Sequence, residues 1–303
     1  MGTNDDGALV LLEHPTGTMA SPGKPRLSDP TDPHLHLDDL GVVRGYGAFE
    51  VVHGIDRKVI AAEDHLSRLD RSCARLSLPS IHRAAWREAM DLAVQTHDEE
   101  GEFALRLVLT GGTGAAESMR GWIRYERVAE SFVVKRSRSL RATLLDRGIA
   151  AGCADQAPWL LIGVKSLSYG PNVAAILEAR RRGADEAVYV SSDGYVLEAP
   201  TSSVVIRRRD TLITPEPSQG ILPGTTQHAL FAAADKLGLD VRYDRVHHSR
   251  LASADGMWLT ASMRLVTSIG DVDGTKIPVD LDLTERMNRL LLASAKPVLP
   301  RAA

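Results

Sequence analysis

The sequence has few cysteines, few aromatic residues and no excess of positive charge. Its 303 residues include 2 cysteines, and aromatic residues make up 5%. Two cysteines are too few for a disulfide framework, and neither lies in a CxxC pair that would bind zinc or carry redox chemistry. A formal net charge of -3 gives no basic surplus of the kind that binding to nucleic acid requires. We therefore expect a reduced, cytoplasmic protein that does not bind nucleic acid.

Long apolar runs are also missing. Segment 1–14 is acidic and holds one short apolar run, which matches neither a signal peptide nor a membrane span. With 44% hydrophobic residues, the chain can still bury a large core, and its length favours two domains. We predict a small N-terminal domain over 1–150 and a larger domain over 151–303. Residues 15–33, rich in Pro, Gly, Ser and Asp, are predicted to form a long flexible loop.

Apolar spacing and turn residues predict the regular elements. A hairpin is expected over 40–62. Helices are expected over 63–78, 83–96, 171–182 and 225–237. Strands are expected over 9–13, 104–110, 131–134, 140–145, 159–164, 186–191, 202–207, 211–214, 240–245 and 257–260. Interleaving of this kind favours an α+β or α/β chain with a mixed sheet.

Lys165 is the first candidate for chemistry. It follows the apolar run WLLIGV and precedes the turn SLSYGPN, at the exit of a predicted buried strand. Burial lowers the pKa of a lysine because the ammonium loses its hydration, and a neutral amine can attack a carbonyl carbon to form an imine. The alternative is a lysine that merely extends to the surface from a strand end.

Other polar residues could complete a site for an anionic cofactor. Glu198 could keep a pyridine nitrogen protonated, or it could be an exposed glutamate before a turn. Thr225 and Thr226 open the helix after GILPG, where N–H groups and hydroxyls favour an anion, although Thr225 could serve only as the helix N-cap. Arg68 could pair with a phosphate, and Ser262 could donate a hydroxyl, but such an arginine is also typical of a solvated helix face.

Together these pieces resemble the class IV aminotransferases, enzymes of fold type IV that use pyridoxal 5'-phosphate (PLP). The family includes branched-chain and D-amino-acid aminotransferases and 4-amino-4-deoxychorismate lyase. The similarity covers about 37–277, and its motifs are RGYGAFE (44–50), EDHLSRL (63–69), LRLVLTGG (105–112), KSLSYGPN (165–172), DGYVLEAPTSS (193–203), GILPGTTQ (220–227) and WLTASM (258–263). The resemblance implies an α+β fold with a small N-terminal α/β domain and a larger C-terminal domain with a mixed, barrel-like sheet and helices. It also implies a homodimer.

The resemblance gives each candidate a role. Lys165 would carry PLP as a Schiff base and move the reacting proton. Glu198 would contact the pyridine nitrogen, and Tyr169 would contact the ring oxygen. The residues expected to hold the phosphate are Arg68, Thr225, Thr226 and Ser262. Arg44 and Arg106 are both candidates for binding the substrate carboxylate, and the sequence does not choose between them. The alternative for Arg106 is a structural ion pair, which is the more common role of an arginine on a strand.

Several positions depart from the usual family pattern. Tyr46 stands where many members have Asp, and Gly111 and Gln227 stand where many have Arg. Ala199 and Ser203 replace residues of the usual EGxxSN. No RxH pair follows the GGTG cluster, although that pair binds the substrate carboxylate in D-amino-acid aminotransferases. These departures count against both ordinary aminotransferase branches. The combination of PWLLIGVKSLSY, SSDGYVLEAP, GTTQHALF and WLTASM most resembles 4-amino-4-deoxychorismate lyase, which releases pyruvate and leaves 4-aminobenzoate for folate synthesis. An aminotransferase of D-amino or branched-chain amino acids is the alternative.

Hypotheses from other classes explain fewer residues. A nicotinamide dehydrogenase could be inferred from GGTG after the strand 104–110, but the GxGxxG spacing is missing and no acidic residue is evident at a strand end about 20 positions on. A metal hydrolase could be inferred from His34, His36, Asp38 and Asp39, but the partners that orient metal ligands are not evident. A binding module without catalysis would leave the lysine and the glutamate unexplained. We expect a small amino substrate, no metal and no membrane partner.

Overall fold

The chain forms two units, and the first of them is assembled from three separate stretches of sequence. This computed structural model describes residues 7–17, 23–97 and 100–299. The first unit takes the described residues up to Val128, the short segment 164–169 and the described residues from Ser294. The second unit takes 129–163 and 170–293. The predicted boundary near 150 differs from this division, because the strand at 140–146 pairs within the sheet of the second unit.

A six-stranded antiparallel sheet forms the first unit. Its strands are β1 (Leu9–Leu12), β2 (Arg26–Ser28), β3 (Gly47–Ile55), β4 (Lys58–Val59), β5 (Glu102–Thr110) and β6 (Gly121–Arg127), in the spatial order β2-β1-β6-β5-β3-β4. The helices are α1 (Leu40–Arg44), α2 (Ala62–Arg75) and α3 (Arg83–Gln95). α2 and α3 bury their apolar stripes, led by Leu66, Leu69, Trp86 and Met90, which are fully buried.

The lysine segment completes one edge of this sheet. β4 pairs only with Gly54 and Ile55 at the far end of β3, which leaves the first residues of β3 without a strand partner from β4. There the N–H of Phe49 donates to the carbonyl of Lys165 at 3.1 Å, and the N–H of Leu167 donates to the carbonyl of Gly47 at 2.9 Å. These bonds satisfy main-chain groups that a bare edge would leave unpaired, and they fix Lys165 in register with β3.

A mixed sheet with four helices forms the second unit. Its strands are β7 (Leu140–Asp146), β8 (Glu186–Val190), β9 (Glu198–Ala199), β10 (Ser202–Arg208), β11 (Thr211–Pro215), β12 (Asp240–Asp244), β13 (Gly256–Ala261), β14 (Leu265–Val272) and β15 (Thr275–Lys276). The spatial order is β12-β11-β10-β13-β14-β7-β8, with β15 on β14 and β9 on β10. The helices are α4 (Glu130–Arg136), α5 (Gly170–Arg181), α6 (Thr225–Phe231) and α7 (Leu281–Ala293). The α+β prediction is confirmed.

Two predicted strands are wrong. Residues 131–134 lie in α4, and the predicted strand 159–164 begins with a short 3-10 helix, where the Trp159 side chain is 75% exposed. Short apolar runs suit either secondary structure, and periodicity alone does not distinguish them. The predicted helix 225–237 ends at Phe231 and gives way to a 3-10 turn. No helix in the described part of the chain is long and apolar enough to cross a membrane.

The predicted loop 15–33 is not uniformly irregular. Its residues 18–22 lie outside the described residues. Beyond them, Arg26–Ser28 forms β2, which pairs antiparallel with β1 through Val10 and Leu27. The turn-forming composition of this segment gave no signal for a short edge strand, because a three-residue strand has too few positions to establish an alternating pattern.

Candidate active site

Lys165 is held by its main chain and directs its amine over an aromatic ring. Its N–H donates to the Ser72 hydroxyl at 3.3 Å, in addition to the carbonyl bond from Phe49. The Nζ atom lies 4.5 Å from the centroid of the Phe49 ring, and Phe49 packs edge-to-face against Tyr169 with 5.3 Å between centroids. Lys165 is partly buried. Lys165 therefore does not simply extend from a strand end into solvent.

A buried charge network lies in the same unit. Glu50, on β3, accepts two hydrogen bonds from Arg68, each at 2.7 Å, and one from Nδ1 of His65 at 2.8 Å. Burial alone would raise the pKa of Glu50, but the charge and hydrogen bonds of Arg68 and the hydrogen bond from His65 hold that pKa well below its ordinary value. The predicted phosphate ligand Arg68 is therefore oriented by an ionised, fully buried carboxylate.

His65 is the neutral member of this network. Burial lowers the pKa of His65, and the nearby charges of Arg68 and Lys165 lower it further, against the opposing effect of Glu50. A neutral imidazole can donate its Nδ1 hydrogen to Glu50 without adding another cation beside Lys165. Sequence reasoning missed both Glu50 and His65, although both lie inside quoted motifs, because neither motif indicates which side chains meet.

Glu198 is fixed in the second unit by two donors. Arg147 donates from Nη1 to one carboxylate oxygen at 3.2 Å and to the Gly220 carbonyl at 3.1 Å. The N–H of Leu222 donates to the other oxygen at 3.1 Å. The Glu198 side chain is 14% exposed, so the alternative of an ordinary exposed glutamate is wrong. Sequence reasoning also missed Arg147, which lies in no quoted motif and 51 positions from Glu198.

The threonines at 225 and 226 occupy the first turn of α6. Both are buried, and the N-cap residue is Gly224, with no side chain capping the helix. The alternative role of Thr225 as the N-cap is therefore wrong. A Cβ atom on Gly224 would lie 2.2 Å from the Ser203 hydroxyl oxygen, so glycine lets the start of α6 approach Ser203 without displacing that hydroxyl. Uncapped N–H groups beside buried hydroxyls suit an anion.

Arg44 and Arg106 occupy different settings in the first unit. Arg44 ends α1, and within the described residues its side chain donates to the carbonyl of its neighbour Val43. Arg106 extends from β5 and makes two 3.0 Å hydrogen bonds to Glu126 on β6. Its side chain is 41% exposed, and its charge interacts with Tyr169. Arg106 thus belongs to the same neighbourhood as Tyr169, Phe49 and the lysine amine.

Two of the positions that depart from the family pattern contact each other in the fold. They are Tyr46 and Gly111, and the N–H of Gly111 donates to the Tyr46 carbonyl at 2.9 Å. A Cβ atom on Gly111 would lie 2.4 Å from the Tyr46 ring, and the Tyr46 hydroxyl donates to the Leu76 carbonyl. Tyrosine at 46 therefore excludes a side chain at 111, which explains why the arginine common at that position is missing here. Gln227, a third departure, donates to the Tyr243 hydroxyl at 3.2 Å.

The geometry supports neither a metal hydrolase nor a nicotinamide dehydrogenase. Within the described residues, no cluster of three His, Cys, Asp or Glu side chains could hold a metal ion. Asp39 is occupied instead: it caps α1 through the N–H of Gly41 and accepts a hydrogen bond from Thr110. The GGTG cluster connects β5 to the antiparallel strand β6, whereas a dinucleotide site needs a helix after the glycines.

The side chains present match the chemical parts of PLP. The first unit supplies a primary amine, which can react with an aldehyde, and an oriented arginine. The second unit supplies an ionised carboxylate suited to a pyridinium N–H, and hydroxyls and main-chain N–H groups suited to a phosphate. Cys73 offers no competing nucleophile, because burial raises the pKa of its thiol to about 12.

Comparisons with known proteins agree with a set of side chains suited to PLP. The family model for amino-transferase class IV matches residues 47–272. A bifunctional aminodeoxychorismate lyase / D-amino acid transaminase from Mycobacterium tuberculosis is 37% identical over 82% of this chain and 89% of its own length. A fold IV transaminase from Curtobacterium pusillum has a TM-score of 0.90 and 40% identity, with 95% of this chain and 97% of that chain covered.

A PLP-bound structure is also similar. It is an aminotransferase from Mycobacterium tuberculosis described as hypothetical, with a TM-score of 0.86 and 34% identity, and the match covers 95% of this chain and 98% of that chain. These structural matches agree with the predicted two-domain fold of type IV.

Proposed function

The chain belongs to the class IV aminotransferase family of PLP-dependent enzymes, and from that premise we propose that it eliminates pyruvate from 4-amino-4-deoxychorismate to leave 4-aminobenzoate. The observation that carries the proposal is Lys165, whose main chain is fixed against β3 while its amine lies over Phe49. The relative that is named both lyase and transaminase supports it. So does the Tyr46–Gly111 pair, which departs from the usual aminotransferase pattern.

In this proposal the chain's residues bind the cofactor and move one proton. PLP, when bound, supplies an electron sink for charge that develops at the carbon bearing the substrate nitrogen. Lys165 would hold the cofactor and then, as a free neutral amine, would take the proton from that carbon at Nζ. The C–O bond to the enolpyruvyl group would then break, and the departing group would take up a proton and leave as pyruvate. Glu198 accepts the pyridine N–H, and Tyr169 contacts the ring oxygen. The residues that hold the phosphate are Arg68, Thr225, Thr226 and Ser262.

The decisive test measures two products separately. Purified protein incubated with 4-amino-4-deoxychorismate should release pyruvate and 4-aminobenzoate in equal amounts. A second reaction, with a D-amino acid and a keto acid, measures transamination. Equal amounts of the two products support the lyase, whereas keto-acid formation without any 4-aminobenzoate would reject it. Transamination of D-amino acids is the second candidate function, because the relative from Mycobacterium tuberculosis is named for both activities.

We propose Arg106, rather than Arg44, as the group that binds the substrate carboxylate. Glu126 accepts hydrogen bonds from Nε and Nη2 of Arg106, which fixes the plane of the guanidinium and leaves the N–H groups of Nη1 to donate to a carboxylate. We expect Arg106→Ala to raise KM about 10- to 100-fold, since a hydrogen bond to a charged group contributes roughly 1.5–3 kcal/mol. Steady-state kinetics on Arg106→Ala and Arg44→Ala decide the assignment, and a larger rise in KM for Arg44→Ala would reverse it.

Glu198→Gln is expected to lower kcat by about 100-fold, because a neutral amide cannot stabilise a protonated pyridine nitrogen as a carboxylate does. The amide keeps the shape of the side chain and can still accept the hydrogen bond from Leu222. Glu285→Gln is the matched control, since Glu285 is an exposed residue of α7 in the same unit. Turnover of both variants is compared with PLP at saturation, and equal kcat values would remove Glu198 from the proposed site.

We also propose the homodimer that the family resemblance implies. The second unit exposes several large apolar side chains, which a subunit interface could cover, namely Trp159, Leu160, Val173 and Leu177. Sedimentation of the wild-type chain should give the mass of a dimer. If this surface forms the interface between the two subunits, Trp159→Ser should weaken their association. A monomer at micromolar concentration would contradict the proposal.

A further inference from the structure

The turn between β13 and β14 is strained. Leu265 closes it with a φ of 51°, in the left-handed region that bulky residues rarely adopt. Its side chain is 1% exposed, so the residue cannot escape the strain by moving into solvent. Strained backbone persists only where the surroundings hold it, and such sites are often functional.

Arg136 holds this turn through its main chain. From α4, Arg136 donates from Nε to the Arg264 carbonyl at 3.1 Å and from Nη2 to the Met263 carbonyl at 2.7 Å. A planar guanidinium is suited to two such acceptors at once, whereas a lysine ammonium is not. The two carbonyls of the turn are therefore set by a side chain that lies 127 positions earlier in the chain.

Two further groups fix the residues on either side. Asn288, on α7, accepts from the N–H of Val266 at 2.8 Å and donates to its carbonyl at 3.0 Å. The buried Arg264 side chain donates to Glu186 at 2.7 Å. The turn is thus restrained on three sides, more than a simple hairpin connection requires.

The restrained turn carries Ser262, whose hydroxyl makes no hydrogen bond within the described part of the chain. Because the C=O and N–H of a trans peptide point in opposite directions, the N–H of Arg264 is directed away from Arg136. An uncommitted hydroxyl next to an oriented N–H is suited to an anion. We infer that Arg136 is a positioning residue for the cofactor phosphate, acting through the turn without touching the phosphate itself. This inference rests on the proposed role of Ser262.

Comparing PLP with pyridoxal, which lacks the phosphate, separates this role from general stability. Dissociation constants are measured by fluorescence titration of the full chain after removal of cofactor. We expect Arg136→Met to weaken PLP binding about tenfold and pyridoxal binding less than about twofold. Arg138→Met is the matched control, because it removes the same charge from a half-exposed residue that pairs with Asp185 and does not contact the turn. Its affinities should equal those of the wild type.

The outcomes are distinct. The inference is overturned if Arg136→Met keeps the wild-type ratio of PLP affinity to pyridoxal affinity. That ratio is kept if both affinities are unchanged, and also if both fall by the same factor. If the wild-type chain itself does not prefer PLP, the phosphate site in the proposed function fails as well. Arg136→Lys keeps the charge but spans only one carbonyl, and we expect an intermediate ratio. This variant supplies the same measurement if Arg136→Met does not fold.

Discussion

Replacing Lys165 with alanine is expected to lower kcat by at least about 1,000-fold, because the same amine holds the cofactor and moves the proton. The variant should also lack the visible absorbance of covalently bound PLP that borohydride bleaches in the wild type. The two readouts are independent, since the spectrum reports attachment and kcat reports proton transfer. Both are measured on purified protein with PLP added.

Lys58→Ala is the matched control for this experiment. Lys58 is an exposed residue of β4 in the same unit, and its loss should leave spectrum and turnover unchanged. A Lys165→Ala variant that keeps a bleachable band would assign the cofactor to another lysine. A wild-type protein that stays colourless after incubation with PLP would remove the basis for every cofactor ligand named above.

The second large effect is on stability. Glu50→Gln is expected to lower the free energy of unfolding by about 3–5 kcal/mol, because it leaves the Arg68 charge buried without its counterion. Glu126→Gln is the control: it also removes the partner of an arginine, but that pair is half-exposed and should contribute no more than about 1 kcal/mol. Denaturant unfolding of both variants measures the difference. Equal losses would show that burial of the Glu50 pair has no special cost.

The same pair predicts how stability depends on pH. The pKa of Glu50 in the folded chain is below its ordinary value of 4.5, so its contribution is present above pH 4.5 and is lost as the pH falls toward the folded pKa. The lowered pKa of His65 acts in the same direction, starting below its ordinary value of 6.5. Wild-type stability should therefore fall on acidification, and Glu50→Gln should lack the component below pH 4.5.

Much of this could be predicted from the sequence, because the motifs are local. The helix that carries Arg68 has a clear apolar period, and the glycine turn before Thr225 marks the start of α6. Lys165 was found by its place after an apolar run, although that run proved not to be a strand. The lysine is positioned by pairing with β3, more than 100 residues earlier, and a local pattern carries no signal of such a partner.

The missed residues share a physical reason. Arg147 reaches Glu198, and Arg136 reaches the turn at Met263 and Arg264, across long separations in sequence. In a sequence, such arginines look the same as solvated surface residues, since only the fold decides which acceptor each one meets. Tyr46 and Gly111 were recognised separately as departures from the family pattern. Their contact shows that the tyrosine ring at 46 leaves no room for a side chain at 111.

The three-part composition of the first unit affects how the protein is made. During synthesis, β4 emerges long before its partner, because it is bonded through Val59 to the main chain of Lys296, more than 200 residues later. β3 likewise waits for residues 165–167 before its edge is paired. A nascent chain therefore holds an unfinished sheet until residue 296 has been made, with an exposed edge open to aggregation or to chaperones. Expression of residues 1–128 alone should give an insoluble product, and a shortened gene would lose the first unit before it lost the second.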